Sequence, residues 1–483
     1  MTQGELDLKR ISVPRSVLDL VPAALARRSG VLPVARDNGT LWVASGDEPD
    51  PTTIVQMEAR TGLVVKTRAV RDPASVAVAL RRYYPETANS DAQGPLAELE
   101  RFVCAALQTR SSDIHVDPSE DGYRVKLRVD GLLRDEAHLD RNVAEEMISA
   151  VKVQAKIDIA EHRVPQDGQI VMSAAGESLN MRVATVPTVR GEKLTLRLLG
   201  GGADEDLTAI EGLGMSKAHL AMFRRALDSP QGVILLSGPT GSGKTTTLYA
   251  ALRRLREDGT RHIFSIENPV EVRLDGVNQV EVDPDGERLS FARALRSALR
   301  HDPDVLMVGE IRDPESCDIA IKSALTGHLV FSTVHANSAA NVTTRLLDMG
   351  VSPFLLGSAV LLIVAQRLVR RPCPHCMRRE PAKETDLERF GLKPCVDALA
   401  PVAVGCTYCG HTGYAGRVGL YECIPIDKPV RALLMGGANE EAIAEEIFGR
   451  RNLATLRRDG AAKVLEGLTT WDEVDRVTYG EIV

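Results

Sequence analysis

Residues 238–245 read GPTGSGKT, the pattern G-x-x-x-x-G-K-[ST]. Glycines at this spacing let backbone N–H groups converge on phosphate oxygens. A lysine after the last glycine can reach the β- and γ-phosphates, and the next hydroxyl can ligate Mg²⁺. The candidate nucleotide-binding residues are therefore Gly238, Pro239, Thr240, Gly241, Ser242, Gly243, Lys244, Thr245 and Thr246, with Lys244 on phosphate charge and Thr245 on the metal. A second chemistry lies downstream. CPHC (373–376) and CTYC (406–409) are C-x₂-C pairs separated by 29 residues, 377 to 405. Four thiolates from Cys373, Cys376, Cys406 and Cys409 would close a tetrahedral Zn²⁺ site with no open position, which marks a structural metal.

Acids and a histidine follow the phosphate loop. VLMVGE (305–310) reads as a buried strand that delivers Glu310 to its C-terminal end, where sites in parallel sheets collect. Gly309 stands where many P-loop enzymes carry Asp, so one carboxylate must polarise water or hold Mg²⁺ through water. Otherwise it shares the work with Glu267 and Glu271 of the strand pattern HIFSIENPVE (262–271). His335, just past the apolar run in HLVFSTVHANSA, can hydrogen-bond a γ-phosphate or couple it to a neighbouring subunit. Taken alone it reads as a structural histidine, as does His328. Arg293, Arg296 and Arg300 form a stripe that is a solvated face or a subunit contact.

Elements must carry these groups. GVILLSG before the loop predicts a strand, and TTLYAALRRLR after it predicts a helix. From residue 213 strands alternate with helices, which implies an α/β domain with a mostly parallel sheet, taken here as 213–483 with the cysteine module 373–409 included. Residues 1–85 read as a small α/β domain with a hairpin at Asn38-Gly39. Residues 96–199 form a second lobe, with an amphipathic helix (LAELERFVCAALQT) and alternating strands such as YRVKLRVDG. PETANSDAQGP (85–95) and the glycines 200–202 followed by ADEDL separate the parts.

Composition bounds the function. The 483 residues contain 44% hydrophobic and 26% charged residues, which excludes wholesale disorder. With 59 Lys plus Arg against 66 Asp plus Glu, the net charge is -7. That charge, with 4% aromatics, argues against a nucleic-acid motor. MTQGELDLKR lacks a signal-peptide core, and the apolar stretch 354–365 is shorter than the roughly 20 residues that span a bilayer. The expectation is a cytoplasmic protein. Eight cysteines are too few for a disulfide scaffold in this length, and six lie after residue 370. Arg367, Arg370, Arg371, Arg378 and Arg379 flank CPHC, which predicts a basic knob that could meet acidic protein, phospholipid headgroups or nucleic acid.

GPTGSGKTTTLYA, IENPVE, DPDVLMVGEIRD and TGHLVFSTVHANSA, in this order, closely resemble the Walker A, Asp, Walker B and His boxes of the secretion ATPases of type II secretion and type IV pilus assembly. The resemblance extends from RSSDIHVDP and AEHRVPQDGQI to the cysteine module, roughly residues 96 to 480. It implies a RecA-like ATPase core preceded by a PAS-like lobe at 96–199. It further implies a homohexamer with ATP between the lobes, peripheral at the inner membrane. There it would power pseudopilus or pilus assembly with an inner-membrane platform protein and the cytoplasmic domain of a membrane recruitment protein. Arg182 and Arg197 match the two arginines that the family's smaller lobe brings to the phosphates. Asn268 replaces the family's usual acid in the Asp box. Residues 1–85 resemble the family's first domain only loosely; they are expected to be the recruitment domain that binds the membrane partner, and no cyclic-dinucleotide ligand is assigned to them. Retraction and DNA-uptake motors of the same superfamily are the alternative; retraction ATPases usually lack the N-terminal domain and cysteine module.

Overall fold

The computed structural model describes residues 6, 8, 11, 13, 15–18, 20–37, 39–47, 49–84, 94–174, 177–199, 209–283, 288–336, 338–393 and 398–478. Most of the first linker (85–93), all of the second (200–208), Asn38 and Cys395 lie outside the described residues. The chain divides into two compact units. The first holds residues 1–204, 373–377 and 403–416; the second holds 205–372, 378–402 and 417–483.

The first unit opens with a three-stranded sheet, β1 (Val31–Asp37), β2 (Thr40–Ser45) and β3 (Val64–Arg68). β1 and β2 pair antiparallel, as the turn signal predicts, and β3 joins β2 in parallel. A parallel neighbour needs a crossover, and the helix Pro51–Thr61 supplies it, started by the Asp50 side chain accepting from Thr52 N–H and by proline in the first turn. Val31, Leu32, Leu41, Val43 and Met57 are fully buried between them.

Next comes a six-stranded antiparallel sheet of β4 (Ser111–Ser119), β5 (Gly122–Val129), β6 (Leu132–Leu139), β7 (Gln166–Ala174), β8 (Glu177–Thr188) and β9 (Gly191–Leu199), in the order β6-β5-β4-β9-β8-β7. Side chains alternate across it. Ile114, Val116, Leu194 and Leu196 share a core with Leu99 and Phe102 of the helix Pro95–Thr109 and Met147 and Val151 of the helix Arg141–Ala155. Asp113, His115 and Asp117 on β4 and Lys193, Thr195 and Arg197 on β9 hold the alternate positions and therefore share the opposite face.

The second unit is built on a seven-stranded sheet of β10 (Gly232–Ser237), β11 (Ile263–Glu267), β12 (Asn278–Glu281), β13 (Val305–Val308), β14 (Leu329–Val334), β15 (Val360–Pro372) and β18 (Tyr414–Pro425). Between β15 and β18 in sequence, β16 (Arg378–Pro381) pairs antiparallel with β17 (Leu399–Val402). The large-sheet order is β12-β11-β13-β14-β10-β15-β18, with parallel pairing from β12 through β15. β10, β13 and β14 are buried at every residue, as uninterrupted apolar runs demand in a sheet covered on both faces. Two strands are shorter than their sequence patterns. β11 stops at Glu267 because Pro269, after a cis Asn268–Pro269 bond, has no N–H for the ladder. β13 stops at Val308, leaving Glu310 in the loop beyond.

The cysteine module was expected within the ATPase domain, but both cysteine turns group with the first unit. Cys373, Tyr408 and Cys409 are buried in one core with Val31, Leu32 and Tyr83 of the N-terminal domain. The turns are too short to bury a core of their own, and Tyr408 packs into that of the neighbouring domain.

Candidate functional site

The phosphate loop joins β10 to the helix Lys244–Arg256, the strand–loop–helix context its sequence requires. Gly238 has φ +150, and a Cβ there would lie 2.5 Å from the Gln366 carbonyl oxygen and 2.6 Å from Ser242 Oγ. Only glycine lets the loop lie that close to β15. Lys244 Nζ donates to the carbonyls of Gly238 (2.6 Å) and Pro239 (3.0 Å), so its charge sits over the hollow of the loop. Burial and the nearby Arg367 guanidinium lower its pKa, while the Glu310 charge acts in the opposite direction. Ser242 Oγ is buried with no hydrogen-bond partner among the described residues, an unused hydroxyl inside the loop. A pocket of about 370 Å³ opens beside it, with Gly238, Pro239, His335, Asn341 and Arg345 in its walls.

Three acids flank the sheet end, in three different states. Glu310 is mostly buried, pairs with Arg312 and lies 3.7 Å from His335 Nε2. Glu267 is buried and bound by Tyr249 Oη, Ser265 Oγ (2.5 Å) and Gln279 Nε2 (3.1 Å). Three of its four lone pairs are taken by protein donors, which makes it a structural carboxylate. Glu271 is exposed, and its backbone N–H donates to Tyr249 Oη at 3.3 Å. Gly309 has a local reason: a Cβ there would sit 3.2 Å from the Ile266 carbonyl oxygen, so an acid would crowd β11.

Arg182 and Arg197, read from separate segments, are direct register partners on β8 and β9 of the first unit. Like charges placed opposite repel, and each has a carboxylate to offset this. Arg197 Nε donates to Asp113 Oδ1 at 2.8 Å, and Arg182 Nη2 to Asp167 Oδ1 at 3.2 Å.

The four cysteine sulfurs lie within 4.8 Å of one another. Cys373–Cys406 and Cys376–Cys409 are 3.9 Å apart and Cys406–Cys409 3.8 Å. A tetrahedron with metal–sulfur bonds of about 2.3 Å has edges of about 3.8 Å, so the donor set fits a four-coordinate ion. Backbone N–H groups of Gly405 (to Cys376, 3.3 Å), Cys406 and Gly413 (to Cys409, 3.2 and 3.1 Å) point at sulfur, as thiolates require. Before an ion binds, burial pushes the Cys373 and Cys376 thiols up, whereas at Cys409 the Cys406 and Gly413 amides outweigh burial and bring the thiol down to about 7.

The chain matches the family described as Type II/IV secretion system protein over residues 89–476, and the MshEN domain over residues 4–90. This chain belongs to the type II/IV secretion system protein family. It is 44% identical over 394 residues to the Type II secretion system protein E of Pectobacterium carotovorum, covering 81% of this chain and 78% of the relative. It is 37% identical over 507 residues to the Type IV pilus assembly ATPase PilB of Myxococcus xanthus, covering 97% and 88%. In fold it is similar to the Legionella pneumophila ATPase DotB, with TM-score 0.58 and 20% identity over 82% of this chain and 98% of that one. The ADP-bound pilus retraction motor PilT gives TM-score 0.54 and 23% identity over 79% and 97%. The protein is an ATPase of the kind that serves type II secretion and type IV pilus assembly.

Within this secretion ATPase the structure brings Lys244, Glu310 and His335 to one end of one sheet, and the four cysteines to one cluster. It leaves Glu271 exposed and buries Glu267 in hydrogen bonds. The basic knob is reduced: Arg367 is buried and Arg370 pairs with the buried Glu473 at 2.7 Å. The arginine stripe is exposed; Arg296 pairs with Glu315 and Arg293 bonds the Arg288 carbonyl. His328 Nδ1 lies 2.8 Å from the Ser323 carbonyl oxygen, a structural contact. Sequence reasoning missed Arg312, Asp113 and Asp167. The alternation of Asp113, His115 and Asp117 with Ile114 and Val116 was the available signal for the second. Among the described residues no helix is long and apolar enough to cross a membrane.

Proposed function

We propose that the protein works as a cytoplasmic homohexamer, peripheral at the inner membrane, in which ATP hydrolysis drives pseudopilus or pilus assembly. Its proposed partners are an inner-membrane platform protein and the cytoplasmic domain of a membrane recruitment protein, with no nucleic acid. The observation that carries the site reading is the meeting of the phosphate loop and Glu310 at one end of one sheet, where His335 shares a pocket with Gly238 and Pro239 and lies 3.7 Å from Glu310. The loop amides and Lys244 bind and orient the triphosphate. Thr245 would hold Mg²⁺, which when bound neutralises charge on the β- and γ-phosphate oxygens. Glu310 orients and polarises the attacking water, and His335, beside it, bonds the terminal phosphate. Glu271 is the second candidate for the base role. Arg182 and Arg197 bring two guanidinium groups to the transferring phosphoryl group. Cys373, Cys376, Cys406 and Cys409 would hold Zn²⁺, which would have a structural part only, because four sulfurs leave no position for water.

Steady-state ATPase assays with nucleotide-binding measurements test the assignment. Glu310→Gln should bind ATP and lose most turnover. Normal hydrolysis by Glu310→Gln together with an inactive Glu271→Gln moves the base role to Glu271. Full-length protein that sediments with membranes from cells lacking the secretion or pilus genes would contradict recruitment by those proteins.

A further inference from the structure

We infer that Asp113 is a positioning residue for the ATPase reaction, holding the Arg197 guanidinium so that its two terminal nitrogens point outward together as a phosphate-binding fork. The inference rests on the reading that Arg197 meets nucleotide phosphate. Asp113 lies directly opposite Arg197 in the β4–β9 register. Its side chain is 5% exposed, whereas Arg197 is 54% exposed. A buried carboxylate is costly unless its lone pairs are satisfied, and Asp113 has three partners: Arg197 Nε at 2.8 Å, Ser112 Oγ at 2.7 Å and Arg128 Nε at 3.6 Å.

The geometry of the Arg197 bond is specific. Asp113 takes Nε alone, at the root of the guanidinium, and the two Nη groups make no hydrogen bond among the described residues. A planar guanidinium held at Nε has its remaining N–H groups aimed in a set direction, which suits bidentate capture of phosphate oxygens. Arg182, its register partner, is held differently. It uses a terminal nitrogen, at 3.2 Å, to reach Asp167, which is 61% exposed. An exposed pair of that kind contributes little and exchanges readily with solvent. One arginine is anchored from behind and presents a free fork; the other is tethered by the same groups that would meet phosphate.

The test is steady-state ATPase kinetics on the full-length protein with Asp113→Asn, Arg197→Ala, Arg197→Lys and the Asp113→Asn/Arg197→Ala double variant. Asp113→Asn keeps an acceptor but loses the charge, and kcat should fall roughly 10- to 100-fold, with KM for ATP much less affected. Arg197→Lys retains a cation but has no Nε to anchor, and should fall by a similar factor. The double variant should be no slower than Arg197→Ala alone, because Asp113 acts only through Arg197. Multiplying losses in the double variant would mean that Asp113 acts independently, and would overturn the inference. So would wild-type kcat in Arg197→Lys, a change at an exposed side chain that leaves folding intact. Wild-type kcat in Asp113→Asn beside a slow Arg197→Ala overturns the positioning role alone. Wild-type kcat in Arg197→Ala overturns the reading beneath it.

Discussion

The phosphate loop and the four-cysteine cluster are both short turns, yet they prepare for their ligands by opposite means. The loop offers backbone N–H groups and one cation from eight consecutive residues, backed by Gln366 of β15, whose carbonyl lies against Gly238 and whose side chain accepts from Thr247. The cluster offers only side chains, from two segments 29 residues apart, and gains its apolar support from Val31, Leu32 and Tyr83 of the N-terminal domain. A site made of contiguous backbone depends on its own strand and helix. A site made of distant side chains depends on whatever holds its two halves together. The two should therefore fail independently.

The largest effect is expected at the loop. Lys244→Ala removes the charge on the β/γ-phosphates and should lower turnover by roughly 10²–10³-fold or more, while the cluster keeps its metal. Normal ATP hydrolysis by folded Lys244→Ala would end the assignment. Next is the cluster. Cys373→Ser/Cys376→Ser, or chelation of the wild type, should remove one Zn²⁺ per chain by elemental analysis. The thermal midpoint of the first unit should fall by roughly ten degrees, because metal binding free energy is folding free energy here. Nucleotide binding at the loop should persist. Loss of binding in the metal-free protein would show that the two sites are not separate.

Tyr408→Ala sharpens the comparison without touching a ligand. It empties part of the core shared by the cysteine turns and the N-terminal domain, and should cost about 3 kcal/mol in denaturant melts. Protection from limited proteolysis should drop within residues 20–84 as well as around residue 408. A loss confined to the cysteine turns would argue against a common core. The same observation bears on truncation, since removing the N-terminal domain strips these turns of their packing.

The smallest effect concerns β15, whose Gln366 backs the loop and which runs on to Cys373. Glu473 accepts from Arg370 N–H (2.9 Å) and is gripped by the Arg370 and Arg476 guanidinium groups. Burial alone would raise its pKa, but these partners hold the carboxyl down to about 2, against an ordinary 4.5. A depressed carboxylate contributes stability that is complete above its unfolded pKa and is lost as pH falls toward the folded value. The stability difference between wild type and Glu473→Gln should shrink as pH is lowered from about 5 to about 2 in thermal melts. A difference that is constant across that range would mean that the Glu473 charge carries none of it.

How much of this was legible in the sequence follows from the same contrast. GPTGSGKT, the strand before it and the helix after it could be read directly, because a run of backbone donors is specified by local residues. Both C-x₂-C pairs, the β1–β2 hairpin and the alternating strands of 96–199 were legible for the same reason: each rests on short-range spacing or periodicity. The strand ends at Glu267 and Val308 were overextended, since an apolar run continues past the last ladder bond. Tertiary structure decided what local spacing cannot encode. It made Arg182 and Arg197 register partners, put the buried Asp113 behind one of them, turned Glu267 into a hydrogen-bonded core acid, and grouped the cysteine turns with a domain some 300 residues earlier in the chain. Register and burial arise from which apolar faces find one another, and that pairing depends on the whole chain rather than on any single segment of it.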